Sequence, residues 1–132
     1  MSGDRDSAPK THRILVIDDD DLIRLTLRAA LEKAGYVVLE APDGEKGIRL
    51  FKADPVDIVV TDIVMPEKEG IATVLELRRE DPDVKIIAIS GGGQLAAKDL
   101  LHFAGKLGAD RILAKPFPPN RLIELVRELL SE

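Results

Sequence analysis

The sequence predicts an α/β fold, five strand-helix units forming one parallel sheet with helices on both faces, and three observations carry that reading. Short apolar, often β-branched runs alternate with amphipathic stretches five times along the chain. The central run, Val56-Asp57-Ile58-Val59-Val60-Thr61-Asp62-Ile63-Val64-Met65-Pro66, is nearly continuous in apolar character, as befits a strand covered on both faces. The links between units are short, which implies right-handed crossovers and parallel strands.

Taken in order, Ile14 to Ile17 is the first strand, followed by the acidic run Asp18 to Asp21. Ile23, Leu27, Ala30 or Leu31, and Ala34 then recur at helical spacing, and Gly35 is placed to end that helix. Val37 to Ala41 is a strand, and Glu45 to Phe51 a helix with Ile48 and Phe51 or Leu50 inward. The central strand starts after Pro55 and ends on Asp62, in a loop closed by Pro66 and Gly70. A third helix carries Ile71, Val74, Leu75 and Leu77 or Arg78 to Glu80, and Asp81-Pro82 breaks it. Val84 to Ile89 is the fourth strand, closed by Ser90; Gly91-Gly92-Gly93 resists regular structure because glycine loses most backbone entropy on folding. A fourth helix is expected from about Asp99 to Leu107, with Leu100, Phe103, Ala104 and Leu107 inward and Gly108 as its stop. Arg111 to Ala114 is the fifth strand, and a last helix from Pro119 to Leu130 turns Leu122, Leu125, Val126 and Leu129 inward.

The chain's 132 residues suit one domain. At that length roughly two-thirds of the unfolded surface can be buried. Residues 1–11 are polar and read as a disordered tail, with the domain proper at 12–132. There is no cysteine, hence no disulfide or thiolate metal site, and no apolar stretch long enough to span a membrane. A net charge of −5, with only Tyr36, Phe51, Phe103 and Phe117 as aromatics, argues against nucleic acid as a direct partner. The expected location is cytoplasmic.

Asp18 and Asp19, Asp62, Ser90 and Lys115 all fall at carboxyl ends of strands, the edge where open α/β sheets bind ligands. Taken singly, each has a plain structural use: Asp18 to Asp21 as helix caps, Asp62 as a loop residue, Lys115 as a solvated ammonium. Together they place several carboxylates in one crevice, where mutual repulsion and burial demand cations. Lys115 supplies one, and Mg²⁺, a hard ion with a taste for oxygen, is the natural second. Phosphoryl transfer follows, with Asp62 as nucleophile, Mg²⁺ on Asp18, Asp19, Asp62 and the backbone carbonyl of Val64, and Lys115 on the developing charge. Ser90 would donate to phosphoryl oxygens, and the amides of Gly91 to Gly93 offer an anion-binding nest. Asp57 reads as a local orienting group, and His12 and His102 receive no role.

The pieces Ile14-Leu15-Val16-Ile17-Asp18-Asp19-Asp20, Asp57 to Pro66 with Gly70, Ser90, and Lys115-Pro116-Phe117 resemble the receiver domain of two-component response regulators, over roughly Arg13 to Leu130. The resemblance implies a doubly wound, flavodoxin-like (βα)5 sheet in strand order 2-1-3-4-5, and a cis Lys115-Pro116 bond. It implies Mg²⁺ on Asp18 and Asp19, phosphorylation of Asp62, and phosphoryl contacts from Ser90 and Lys115. The implied donor is the phosphohistidine of a sensor histidine kinase or phosphotransfer protein. The implied target is a downstream protein, met through the fourth helix, fifth strand and fifth helix, where Lys106, Arg111 and Arg121 are candidate contacts. The module would promote its own phosphotransfer rather than turn over as an enzyme.

Three positions depart from the family pattern. Ile112 stands where an aromatic ring often reads out the switch, the interval from Ser90 to Lys115 is longer than usual, and Val64 offers no group to orient water, which predicts modest self-dephosphorylation. If Glu132 ends the whole protein, the chain resembles a stand-alone receiver; a receiver cut from a longer protein fits the sequence equally. Two other readings are a degenerate receiver that binds partners without phosphorylation and a Mg²⁺-dependent aspartyl phosphohydrolase. The second of these wants an aspartate where Val64 stands.

Overall fold

Among the residues described in this computed structural model (11–63, 69–91, 106 and 108–132, with Glu69 and Gly91 as backbone only), the elements follow the strand-helix alternation of the sequence. They are β1 (Arg13–Ile17), α1 (Asp21–Lys33), β2 (Val37–Ala41), α2 (Gly44–Ala53), β3 (Ile58–Asp62), α3 (Glu69–Glu80), β4 (Lys85–Gly91), β5 (Arg111–Lys115) and α4 (Pro119–Leu130). All pairings are parallel, in the order β2-β1-β3-β4-β5. The order reverses between β1 and β3, so a crevice opens beyond their carboxyl ends.

β1 shows how the sequence makes a core on each face. Ile14 and Val16 pack with Leu27 and Leu31 of α1 and with Leu122 and Val126 of α4. Leu15 and Ile17 point the other way, to Ile48 and Phe51 of α2 and Val74 and Leu77 of α3. The period of two in a strand divides neighbouring residues between layers. These four β1 side chains, Ile14 to Ile17, are fully buried, and each contributes about 1.5–3 kcal/mol in removing its apolar surface from water.

The expected elements are present with shifted ends. Val56 and Asp57 precede β3 rather than belonging to it, and the Asp57 carboxylate accepts from the Arg13 backbone N–H at 2.8 Å, an orienting role at the start of β1. Gly70 lies inside the first turn of α3, not in a loop. Thr73 turns inward on α3 while Leu75 is left 46% exposed, so the expected stripe is off by a position there. Gly91 ends β4, paired in register with Lys115, against the expectation that the glycine run begins outside regular structure. Gly35 and Gly108 have positive φ, 101° and 90°, which an L side chain resists, and Gly35 follows α1 as its predicted stop. The expected fourth helix, apart from Lys106, and residues 1–10 lie outside the described residues.

Candidate functional site

Strand register brings the candidate residues level. Ile17 pairs with Thr61, so Asp18 and Asp62 each stand one residue further on adjacent strands. Asp62 pairs with Ile89, placing Ser90 next along β4, and Gly91 pairs with Lys115 at the end of β5. Asp18 continues the Ile14, Val16 series, Asp62 the Ile58, Val60 series and Lys115 that of Leu113, all of which face the α1/α4 core. The three side chains therefore emerge over one face at one edge.

There they meet. The Lys115 ammonium donates to Asp62 Oδ2 at 2.7 Å and lies 2.9 Å from Asp18 Oδ2. The second contact is an ion pair without hydrogen-bond alignment. Oxygens of Asp18, Asp19 and Asp62 all lie within 4.8 Å of one another. Asp18 and Asp62 are buried and Asp19 is exposed.

The acidic run divides its labour. The Asp20 carboxylate caps α1, accepting from the N–H groups of Leu22 and Ile23 at 2.9 and 3.2 Å. Asp21 pairs with Arg24. Asp18 accepts from the Asp20 N–H at 2.9 Å through its other oxygen. Capping and cation-binding, which compete for the run as a whole in the sequence, fall to different residues.

The electrostatics of the pair are unequal. Burial pushes the Asp18 carboxyl above its ordinary value, and the pull of the Asp20 N–H and of Lys115 does not undo this. Burial also works against the Lys115 ammonium, but its bonds to Asp62 and Asp18 outweigh that and hold its pKa above the usual lysine value. The asymmetry has a plain cause: among the described residues the Lys115 ammonium is shared by two buried carboxylates, so it gains two partners where Asp18 gains part of one. An all-oxygen donor set short of positive charge fits Mg²⁺.

Ser90 is fully buried at the end of β4, and among the described residues its hydroxyl has no hydrogen-bond partner. Val64 lies outside the described residues. The Lys115-Pro116 peptide is cis, as the resemblance implies.

Two neighbours of the site escape sequence reasoning. Arg24 donates to the Asp18 backbone carbonyl at 2.7 Å. A Cβ on Gly70 would lie 2.5 Å from the Asp62 carbonyl oxygen and 2.5 Å from Ile63 Cα, so α3 begins in van der Waals contact with the end of β3. The glycine is visible in the sequence, but the reason for it is not.

The response regulator receiver domain profile matches residues 14–127. The chain belongs to the response regulator receiver family. A chemotaxis protein CheY of Thermotoga maritima is 38% identical over 118 residues, covering 89% of this chain and 96% of that protein. A probable transcriptional regulator, ycf27 of Guillardia theta, is 37% identical over 119 residues, but the chain spans only 45% of its length. Among solved structures, a CheY-like receiver domain protein from Methanospirillum hungatei superposes with a TM-score of 0.83 at 28% identity, covering 92% of this chain and 95% of that one. As a CheY-type receiver, the protein carries an aspartate cluster suited to Mg²⁺-assisted phosphorylation of an aspartate and to relay by protein contact. Its family performs phosphotransfer rather than turnover of a free substrate.

Proposed function

We propose that Asp62 takes a phosphoryl group from the phosphohistidine of a sensor histidine kinase or phosphotransfer protein, and that the protein works in the cytoplasm. Asp18, Asp19 and Asp62 would hold Mg²⁺, together with the backbone carbonyl of Val64 that the family resemblance implies. In the transfer, a carboxylate oxygen of Asp62 forms a bond to phosphorus as the P–N bond breaks, its electron pair staying with the imidazole, to leave an aspartyl mixed anhydride. Bound Mg²⁺ supplies charge neutralisation at the phosphoryl oxygens. Lys115, already 2.7 Å from the acceptor, supplies the rest, and the buried Ser90 hydroxyl, without a hydrogen-bond partner among the described residues, is a donor for the arriving oxygens. The observation that carries this reading is the convergence of two buried carboxylates and a nearby third on the Lys115 ammonium, with ligand oxygens within 4.8 Å of one another. No helix among the described residues is long and apolar enough to cross a membrane.

The test is incubation with Mg²⁺ and acetyl phosphate. An acid-stable, base-labile phosphoryl adduct is expected on the wild type and not on Asp62→Asn. An unmodified wild type, or an equally modified D62N, would overturn the assignment.

Donor access is supported by two leucines on the first turns of α1, Leu22 and Leu25, 71% and 61% exposed directly after the acidic run. Apolar residues so exposed beside a reaction site suit a protein contact. Leu22→Glu with Leu25→Glu is expected to slow transfer from an autophosphorylated sensor kinase about tenfold, the loss of roughly 1.4 kcal/mol of contact. Labelling by acetyl phosphate should stay unchanged; a parallel fall in both rates would place the defect in the site instead.

Output is assigned to the surface of the expected fourth helix, β5 and α4. On it Lys106 is exposed, whereas Arg111 pairs with Glu128 and Glu132, and Arg121 with Glu124. Ile112 sits half-buried against the α2/α3 core and carries no ring to flip, which leaves backbone shifts or an altered helix face for the readout.

A further inference from the structure

We infer that Arg24 is a positioning residue for Mg²⁺, acting through the peptide bond that joins Asp18 to Asp19. This rests on the reading of those two acids as metal ligands and goes beyond it, because Arg24 itself touches no ligand atom.

Arg24 is largely buried, its side chain 14% exposed. Its guanidinium spends its donors on three different acceptors: Nη1 on the Asp18 carbonyl at 2.7 Å, Nη2 on Asp21 at 2.6 Å, and Nε on Glu40 at 3.1 Å. Glu40 is on β2, beside Ala41, and the Ala41 carbonyl accepts from the Asp18 N–H at 3.2 Å. The backbone of Asp18 is thus held on both sides by consecutive residues of β2, directly at its N–H and through Arg24 at its carbonyl. The bonds close a ring through Asp18, Arg24, Glu40 and Ala41.

The position of that ring matters because the held carbonyl belongs to the Asp18–Asp19 peptide. Its plane is rigid, so fixing the oxygen fixes the direction in which the chain leaves toward Asp19. The Asp18 carboxylate is already oriented by the Asp20 N–H and Lys115. Asp19 is exposed, and no side-chain hydrogen bond to its carboxylate is found among the described residues. Whatever orients Asp19 must act through its backbone, and Arg24 is the side chain bonded there. Groups behind the ligands of a metal site commonly tune its affinity ten- to a hundredfold.

The charge on Arg24 makes the inference sharp. As a bare cation near the site, Arg24 would repel Mg²⁺, and its neutralisation would tighten binding. As a positioning group, its removal weakens binding. The two roles predict opposite signs. Arg28 is the internal control, since it also pairs with Glu40, at 2.6 Å, but no hydrogen bond joins it to Asp18.

The experiment titrates MgCl2 into the wild type, Arg24→Met, Arg28→Met and Glu40→Gln, reading amide chemical shifts, with thermal unfolding of each variant as the check on folding. Expected are an Mg²⁺ affinity about tenfold weaker in R24M, an affinity within about twofold of wild type in R28M, and an intermediate loss in E40Q, which frees Arg24 from β2. Should R24M fail to fold, E40Q against R28M decides. Unchanged or tighter binding in R24M, or equal losses in R28M and E40Q, overturns the inference while leaving the proposed function standing. No saturable Mg²⁺ binding in the wild type takes down both.

Discussion

Replacing Lys115 by methionine is expected to destabilise the metal-free protein by about 3 kcal/mol, and Mg²⁺ is expected to restore more stability to the variant than it adds to the wild type. Methionine keeps an unbranched stem of similar reach and removes the charge. What remains is Asp18 and Asp62, buried, with ligand oxygens within 4.8 Å of each other and of Asp19, and without the Lys115 ammonium that lay between them. Removing one partner of a buried ion pair typically costs about 3–5 kcal/mol. The lower end applies because the Lys115 side chain is 18% exposed and part of its interaction is screened by water.

The pH dependence follows from the two shifted groups. Lys115 has a raised pKa, so its contribution is fully present below 10.5, the ordinary lysine value, and is lost only as pH rises past that through its folded value. Asp18 is also raised, which for an acid has the opposite meaning. Its buried charge costs stability above its folded pKa, and protonation relieves that cost as pH falls. Loss of Lys115 removes one of the influences holding the Asp18 carboxyl down and therefore enlarges the relief. The gap between wild type and K115M should be widest at neutral pH without Mg²⁺, and should narrow both on mild acidification and on adding Mg²⁺. Denaturant midpoints under those three conditions check it. A gap that ignores both proton and metal would mean that Lys115 acts through packing of its stem, not through charge.

The same residues show how far the sequence could be read. Counting by twos from Ile14, Ile58 and Leu113 arrives at Asp18, Asp62 and Lys115, so the convergence of acid, acid and ammonium was present in strand period and element order. The amphipathic spacing of α4 gave its limits and its buried face, because Leu122, Leu125, Val126 and Leu129 leave one way to lay a helix on a sheet. What escaped has a different origin. Arg24 is a polar helix residue that spacing leaves outside the apolar stripe, and Arg78 enters that reading only as an alternative to Leu77, with no partner named for either. Yet Arg78 donates to the carbonyls of Gly108, Pro82 and Val84 and to Asp110, joining the end of α3 to both β4 and the approach to β5. An arginine reaches far enough that its partners depend on tertiary geometry, and periodicity carries none of that. The misplaced stripe of α3 has a related cause: Leu75 is more apolar than Thr73, but the helix is seated by Val74 and Leu77, and their positions carry Thr73 inward.

Gly70→Ala should cost about 2 kcal/mol of stability and slow phosphorylation of Asp62 by an order of magnitude or more, whereas Gly47→Ala should be much milder. Both glycines are helical, and alanine is favoured over glycine by about 1 kcal/mol in a helix interior such as Gly47 and by less in a first turn such as Gly70, so intrinsic preference alone predicts no loss at either. Contacts reverse this at different strengths. At Gly47 the added methyl meets the Cδ1 and Cγ1 atoms of Ile17, the far part of a side chain with some freedom to turn. At Gly70 it meets the Asp62 carbonyl oxygen and Ile63 Cα at 2.5 Å, and the Ile63 carbonyl carbon at 2.8 Å. These are backbone atoms, held by the Ile63 N–H bond to the Ile89 carbonyl at 2.8 Å and by the β3–β4 pairing. Overpacking against such neighbours costs about 1–3 kcal/mol, more where nothing can rotate away. Either α3 lifts off the sheet or the end of β3 moves, and the second displaces the acceptor from Lys115. Reactions that depend on near-contact geometry lose up to a hundredfold for a misplacement of about 1 Å. Denaturant unfolding and acetyl phosphate labelling rates of the two variants test the argument together. A G70A protein as stable and as readily phosphorylated as wild type would show that α3 can retreat without cost, and that its close seat against β3 is not what holds Asp62 in place.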